Sequence, residues 1–145
     1  MNNNLRGGIA VLAVADFGAL IYTSYGKSEV ARTTNEAPTG RAIVEVTVPK
    51  LQGKAMLGQV AFVAKCASCH GENAVGLVGV APPLVHKIYE RSHHGDAAFL
   101  LAARNGVRSH HWQFGNMPPV DGITDAEVDT IIAYVRALQR ANGIN

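Results

Sequence analysis

Residues 66–70 read Cys66-Ala67-Ser68-Cys69-His70, a C-x-x-C-H motif, and this stretch decides how the rest of the chain is interpreted. C-x-x-C-H is the attachment motif of a covalently bound haem. Two thiols three positions apart on a helical turn can form thioether bonds with the two vinyl groups, and the next imidazole can bind the iron. A redox dithiol is the alternative, but it belongs beside a strand in a βαβ unit, and no such unit surrounds the motif. One motif predicts one haem c.

The composition supports a small domain built around a cofactor. Both cysteines of the 145-residue chain lie in the motif, which excludes a disulfide scaffold and a four-cysteine zinc site. Lys and Arg number 13 against 11 for Asp and Glu, so the charge of +2 gives no basic footprint and predicts no nucleic-acid partner. Hydrophobic residues make up 48% and aromatic residues only 6%. The core is therefore aliphatic or is enlarged by a group that is not amino acid.

A first helix is predicted from about residue 53 to residue 69, leading straight into the cysteines. Its apolar positions include Met56, Val60, Phe62, Val63 and Ala67. No strand pattern follows it, and residues 71–83 form a loop rich in Gly and Pro. The domain is therefore predicted to be all-α.

A second helix is predicted to start near Asp96, a plausible N-cap, with Phe99, Leu100 and Ala103 at helical spacing. It should stop at the Asn-Gly pair at positions 105–106, because this pair favours helix C-termini.

The third helix is the best specified of the three. Thr124 and Glu127 form a T-x-x-E capping box, and Ile123 can pack against Val128 as a hydrophobic staple. An apolar stripe then follows along one helix face at Val128, Ile131, Ile132, Val135 and Leu138.

The N-terminal residues 1–26 are predicted to be a signal-anchor or transmembrane segment. Arg6 is the only charge before an apolar run over residues 7–22, and no A-x-A cleavage site follows. The span of about 20 residues can cross a membrane, although Asp16 in its middle costs about 2.5–3.5 kcal/mol. A cleaved signal therefore stays open. Both alternatives send the rest of the chain across the inner membrane.

Residues 27–50 are predicted to be a flexible tether that carries a short extended arm. The stretch 27–41 is polar and charged, whereas residues 42–48 are β-branched, partly alternating and stopped by Pro49. They form one short strand or an extended arm laid on the domain. The haem domain then occupies residues 51–145.

With these features the sequence resembles the class I c-type cytochromes over about residues 51–142. Gly58 and Phe62 lie eight and four residues before Cys66, where that family has the small and aromatic positions of its first helix. Tyr134 in the last helix stands where the family's aromatic residue crosses that glycine. The histidine-bearing stretch between residues 106 and 117 is longer than the commonest pattern of the family.

The loops extend the resemblance to the iron ligands. Residues 81–84 (APPL) are similar to the family's proximal loop, which implies that the Pro82 carbonyl binds the ring of His70. Residues 115–119 (GNMPP) are similar to its distal-ligand loop, which implies Met117 as the second axial ligand. The residues alone also favour Met117, because Met56 lies on the helix that delivers the cysteines and cannot reach the opposite haem face.

Several residues are candidates for the haem surroundings. Leu84 and Leu100, together with Ile88 and Val120, are candidates for the apolar lining, although an ordinary core position explains each equally well. Arg108 and Trp112, together with Arg104, are candidates to reach the propionates.

Twin Ser-His-His segments at residues 92–94 and 109–111 are not explained by the family. Neutral imidazoles suit copper and zinc, so His93, His94, His110 and His111 raise the question of a second metal. Adjacent histidines in a turn tend to diverge, however, and an exposed polar rim is the favoured interpretation.

The sequence therefore predicts a monohaem c-type cytochrome, an electron carrier and not an enzyme. It would bind no small-molecule substrate and would pass single electrons between a donor and an acceptor protein, including membrane complexes of a respiratory chain. Its expected location is the periplasmic side of the bacterial inner membrane, anchored there or soluble after cleavage. A gas-binding haem sensor and a fixed subunit of a larger oxidase or reductase are the alternatives.

Overall fold

The computed structural model describes residues 40–145, so the predicted segment at residues 1–26 and most of the tether lie outside the described residues. Within the described part the chain forms four α-helices and two single 3₁₀ turns, Glu72–Ala74 and Lys87–Tyr89. The helices are α1 (Gly53–Lys65), α2 (Ala67–His70), α3 (Asp96–Asn105) and α4 (Asp125–Ala141). Isolated bridges replace strands in this part of the chain, which confirms the all-α class.

The crossing of α1 and α4 organises the core. Phe62 and Tyr134 are fully buried, and their ring centroids lie 5.5 Å apart. Gly58 lies against α4 at Thr130 and Tyr134. The aromatic residue therefore crosses the glycine where the family resemblance implies.

The first helix is shorter than predicted. It ends at Lys65, because Cys66 leaves the helical conformation with φ of −124°, and a separate turn, α2, carries Cys69 and His70. The predicted apolar positions also differ in role. Phe62 faces the core, whereas Met56, Val60 and Val63 are each more than half exposed.

The last helix follows its sequence pattern closely. The Thr124 hydroxyl accepts from the Glu127 amide, and the Glu127 carboxylate accepts from the Thr124 amide, so the capping box is present. Ile123 packs beside Val128. All five stripe residues are buried: Val128, Ile131, Ile132, Val135 and Leu138.

The start of α3 corrects one prediction. Gly95 is the N-cap, and Asp96 is the first helical residue and caps nothing. Its carboxylate instead accepts hydrogen bonds from Arg91 and from the buried Arg136 of α4. The predicted end is confirmed, because Asn105 closes the helix and Gly106 follows with φ of +73°.

Residues 40–50 lie along the domain as an extended arm, without forming a strand. The amides of Ile43 and Val44 donate to the carbonyls of Gly76 and Val75, each over 3.2 Å. Thr47 exchanges two hydrogen bonds of 2.9 Å with the Asn142 side chain. Among residues 40–145 no helix is long and apolar enough to span a membrane.

Candidate haem-binding site

A cleft of about 610 Å³ opens beside α2 and α3, within the 300–1,000 Å³ typical of ligand sites. Its walls come from α2, the segments 80–84 and 89–94, α3, the loop between α3 and α4, and the first turns of α4. Much of the lining is apolar, including Val80, Leu84, Phe99, Leu101, Val120 and Ile131. A largely apolar ligand can therefore be enclosed here.

The single turn of α2 brings the C-x-x-C-H residues to one wall of the cleft. The amide of His70 donates to the Cys66 carbonyl over 2.9 Å, which closes the turn and places the two cysteines on the cleft side. Cys66 is half-buried and Cys69 is exposed, and both are free thiols. Burial, with a smaller contribution from the charge of Cys69, raises the pKa of the Cys66 thiol to about 11.

His70 is held in one tautomer by the proximal loop. Its ring is buried, and Nδ1 lies 2.8 Å from the Pro82 carbonyl oxygen. Burial lowers the pKa of His70, and the hydrogen bond to Pro82 partly opposes that shift. The ring is therefore neutral near pH 7 with Nδ1 donating, and Nε2 keeps its lone pair for a metal.

Met117 is fixed at another part of the cleft by a pair of backbone hydrogen bonds. The Val107 amide donates to the Met117 carbonyl over 2.9 Å, and the Met117 amide donates to the Val107 carbonyl over 3.0 Å. The approach is close at Gly106, where a Cβ atom would lie 2.4 Å from the Met117 carbonyl oxygen. Pro118 and Pro119 restrict the backbone beyond it. The loop 107–117 is therefore closed at its base.

Trp112 gives the cleft an unpaired donor. Its Nε1 is buried and has no hydrogen-bond partner among the described residues. The indole stacks on Phe114 with centroids 5.7 Å apart and meets His86 edge-on at 5.2 Å. Burial raises the pKa of Tyr89, another lining residue, and the nearby indole N–H of Trp112 opposes that rise without reaching hydrogen-bond geometry. A buried N–H without an acceptor is costly, so an acidic group on the ligand would satisfy it.

A family model described as cytochrome c matches residues 55–139, which include the motif, the cleft and most of α4. The chain belongs to the cytochrome c family. Membership implies a covalently bound haem c and a role in electron transfer. The unpaired Trp112 donor, the neutral His70 ring and the apolar walls all fit that group.

A curated protein similar to this chain is a subunit of an oxidase. Over 96 residues this cytochrome is 36% identical to a protein of Rhodobacter capsulatus named cbb3-type cytochrome c oxidase subunit CcoP. The matched stretch covers 62% of this chain and 31% of that protein. The chain therefore corresponds to less than a third of the length of the relative it matches.

The cleft of the cytochrome includes some of the predicted lining residues and omits others. Leu84 and Val120 line it, whereas Leu100 packs between α3 and α4 against Ala103, Val128 and Ile132, and Ile88 is also absent from the walls. Arg108 is not part of the lining, although its neighbours Val107 and Ser109 are. Arg104 is engaged by the Asp125 carboxylate through two hydrogen bonds.

Sequence reasoning missed the cleft face of α3. Ala98, Leu101, Ala102 and Asn105 follow the i, i+3, i+4, i+7 spacing of one helix face, and all four line the cleft. Leu101 is 54% exposed in the described chain. The signal was present as a largely apolar second face on a short helix, but the sequence analysis chose the adjacent Leu100 as the lining candidate in place of Leu101.

The histidine pairs lie at the rim of this cleft, where His94, His110 and His111 are lining residues. Contrary to expectation the adjacent rings do not diverge, because the rings of His93 and His94 both lie beside that of His111, with centroids 5.1 and 5.2 Å away. Loss of solvation, followed by the charges of His110, His94 and His93, lowers the pKa of His111.

Proposed function

We propose that this cytochrome carries single electrons through one haem c. Thioether bonds to Cys66 and Cys69 would attach the haem, and His70 and Met117 would be the axial ligands of its iron. The observation that carries the proposal is the 2.8 Å contact between His70 Nδ1 and the Pro82 oxygen, in the same cleft that Met117 lines. It leaves the second ring nitrogen of His70 as a ligand.

The residues of the chain hold and tune the group. When bound, haem c supplies a one-electron Fe(III)/Fe(II) couple. The Pro82 carbonyl fixes the ring plane of His70 and increases its basicity as a ligand. A thioether ligand from Met117 would raise the reduction potential of the haem relative to a second nitrogen ligand. The closed loop 107–117 would hold the Met117 side chain in place. The apolar walls limit water and so favour the less charged, reduced state.

Trp112 is proposed to orient the haem by donating its indole N–H to a propionate. This hydrogen bond supplies the acceptor that Nε1 lacks within the described residues. Leu84 would pack on the macrocycle. Leu100 would support the cleft indirectly, by packing in the core between α3 and α4. Arg108 would lie outside the cleft, on the outer surface of the loop.

The proposed location is the periplasmic side of the inner membrane, with residues 1–26 as an anchor and residues 27–50 as the tether before the domain at 51–145. Arg6 and the apolar run after it support an exported chain. The similarity to an oxidase subunit supports membrane respiratory complexes as electron partners. Contacts in such redox encounters are small and brief.

The same similarity favours a second candidate, in which the cytochrome is a fixed subunit of a larger oxidase. The two differ in assembly. A mobile or tethered carrier separates from its partners after detergent extraction, whereas a fixed subunit co-purifies with other chains in constant stoichiometry.

The experiment is haem attachment in full-length protein exported with a c-type maturation system. We expect one haem per chain that stays bound through denaturation. Cys66→Ala and Cys69→Ala each leave at most one thioether and sharply reduce holoprotein, and the double variant holds no haem after denaturation. Ser68→Ala is the matched control, since Ser68 is exposed within the same motif. A double variant that keeps denaturation-resistant haem would end the proposal.

A further inference from the structure

We propose that His93, His94 and His111 bind a divalent transition-metal ion, Zn²⁺ or Cu²⁺, at the rim of the cleft. The site is separate from the C-x-x-C-H motif and from Met117. Imidazole nitrogen is a preferred ligand of both ions. Three histidines leave a fourth tetrahedral position for water.

The ring nitrogens of the three histidines converge, and one pair already has the spacing of two ligands on one ion. One ligand nitrogen from each of the three histidines lies within 4.8 Å of the other two. The Nε2 atoms of His93 and His111 are 3.2 Å apart. Zinc–nitrogen bonds of about 2.0–2.1 Å at tetrahedral angles place two ligand nitrogens about 3.3–3.4 Å apart. His93 and His111 therefore already have the spacing of two ligands on one ion, and the nitrogen of His94, within 4.8 Å of both, has to move inward to complete the site.

His94 already has the outer contact of a metal ligand. Its Nδ1 lies 2.6 Å from the carbonyl oxygen of Ile88. Metal-bound histidines usually donate their second ring N–H to such an oxygen, which fixes the tautomer and aims the other nitrogen. With Nδ1 engaged by the Ile88 oxygen, Nε2 of His94 is the nitrogen left to bind the ion. A hydrogen bond between His93 and His111 alone explains one contact of this cluster but not the convergence of a third ring.

The backbone holds the first two ligands in place. The amides of His93 and His94 both donate to the Glu90 carbonyl, over 3.1 and 2.7 Å. The carbonyl of His94 accepts from the guanidinium of the buried Arg136 over 2.6 Å. The turn that carries both histidines is therefore anchored to α4. Because the turn is already ordered, metal binding costs little conformational entropy there.

His111 comes from the loop that also carries Met117. Inside that loop the Ser109 hydroxyl donates to the Trp112 carbonyl, and the Ser109 amide donates to the Asn116 side chain over 3.0 Å. The bound ion would cross-link this loop to the turn at residues 90–94. Metal binding should therefore stabilise the part of the chain between α3 and α4.

His110 supplies the matched control. It precedes His111 in the same exposed loop, and its ring lies 4.3 Å from that of His111. Its Nδ1 lies 2.9 Å from the Arg108 carbonyl oxygen, and it is not part of the three-histidine group. A general affinity of surface histidines for metals would weaken equally when either residue is replaced, whereas the proposed site depends on His111.

The test measures Zn²⁺ binding to chelator-treated holoprotein. Titration calorimetry gives the stoichiometry, and competition with a zinc indicator gives the affinity. We expect one equivalent of zinc, an increased melting temperature, and zinc-edge X-ray absorption showing imidazole ligands at about 2.0–2.1 Å. His93→Gln, His94→Gln and His111→Gln should each weaken binding about 100-fold or more, and His110→Gln should stay within about threefold. Far-ultraviolet circular dichroism of each variant shows that it is folded.

Three results overturn the proposal. Zinc binding could be absent or of no fixed stoichiometry. His93→Gln and His111→Gln could bind as tightly as the unaltered protein. His110→Gln could lose as much affinity as His111→Gln, which would leave only a histidine-rich surface.

Discussion

Gly58 of α1 lies so close to Thr130 of α4 that a Cβ atom at residue 58 would be 1.9 Å from the Thr130 carbonyl oxygen. The same atom would lie 2.9 Å from Cβ of Tyr134. Two backbones are thus in contact where the largest buried side chains of both helices, Phe62 and Tyr134, meet. Because backbone atoms cannot rotate away, the helices must separate to admit any side chain.

Gly58→Ala is therefore expected to destabilise the holoprotein by about 3 kcal/mol, at the upper end of overpacking costs. This loss occurs although alanine favours an α-helix over glycine by about 0.8–1.0 kcal/mol. Denaturant unfolding measures the change. Val60→Ala, on the exposed face of the same helix, is the control and should stay within about 0.5 kcal/mol. Equal stability of the two variants would contradict the close crossing.

Local patterns in the sequence predicted α4 because every signal in it is local. The capping box of Thr124 and Glu127 and the stripe from Val128 to Leu138 need only helical periodicity. The contact of Gly58 with α4 came from the family resemblance, since the two segments are 72 residues apart from Gly58 to Thr130. No periodicity could supply it.

Other features depend on partners far along the chain. The sequence pattern indicates that the Asp96 carboxylate caps the helix, yet this carboxylate accepts a hydrogen bond from Arg136, 40 residues later, instead of one from the backbone of its own helix. The choice between Leu100 and Leu101 as cleft residue depends on how α3 rotates against α4. The convergence of the histidines depends on where two loops meet. Each of these is decided by tertiary packing and not by local preference.

Thr124→Ala should lower the free energy of unfolding by about 0.5–2 kcal/mol and leave the haem potential nearly unchanged, because Thr124 itself does not line the cleft. Hydrogen bonds from the Thr124 backbone and side chain hold the pKa of Glu127 below its usual range. Thr124→Ser keeps the hydroxyl and is the control. If serine and alanine destabilise equally, the hydroxyl contributes nothing.

Arg136 and Asp96 predict a dependence of stability on pH. Arg136 is 3% exposed, and its guanidinium also donates to the Tyr89 and His94 carbonyls. Burial alone would raise the pKa of Asp96, but hydrogen bonds and charge from Arg136 and Arg91 outweigh it and lower the pKa. A depressed carboxyl pKa stabilises the fold above the unfolded value of about 3.9 and ceases to do so as the pH falls through the folded value.

Asp96→Asn should therefore destabilise the protein at pH 7 and flatten the loss of stability below about pH 4. The cost should be less than the about 3–5 kcal/mol of breaking a fully buried pair, because the Asp96 carboxylate is 42% exposed and partly screened by water. Urea unfolding between pH 3 and pH 7 measures both effects. Asp129→Asn removes a carboxylate from an exposed pair with Lys54 and should change little. Identical acid profiles for the two variants would contradict the role of Asp96.

Met117→Ala tests the distal ligand. The backbone hydrogen bonds to Val107 do not involve the side chain, so the loop should stay closed while the iron loses its thioether. We expect an open or histidine-substituted iron and a potential lowered by about 100 mV or more, within the range of about 0.8 V that axial ligands control. The reduced variant should bind CO, and the unaltered protein should resist it.

Met56→Leu is the control, because Met56 is 52% exposed on α1. If the spectrum changes in Met56→Leu but not in Met117→Ala, the assignment of Met117 as the distal ligand is wrong. Prompt CO binding by the unaltered protein would favour a gas sensor over an electron carrier.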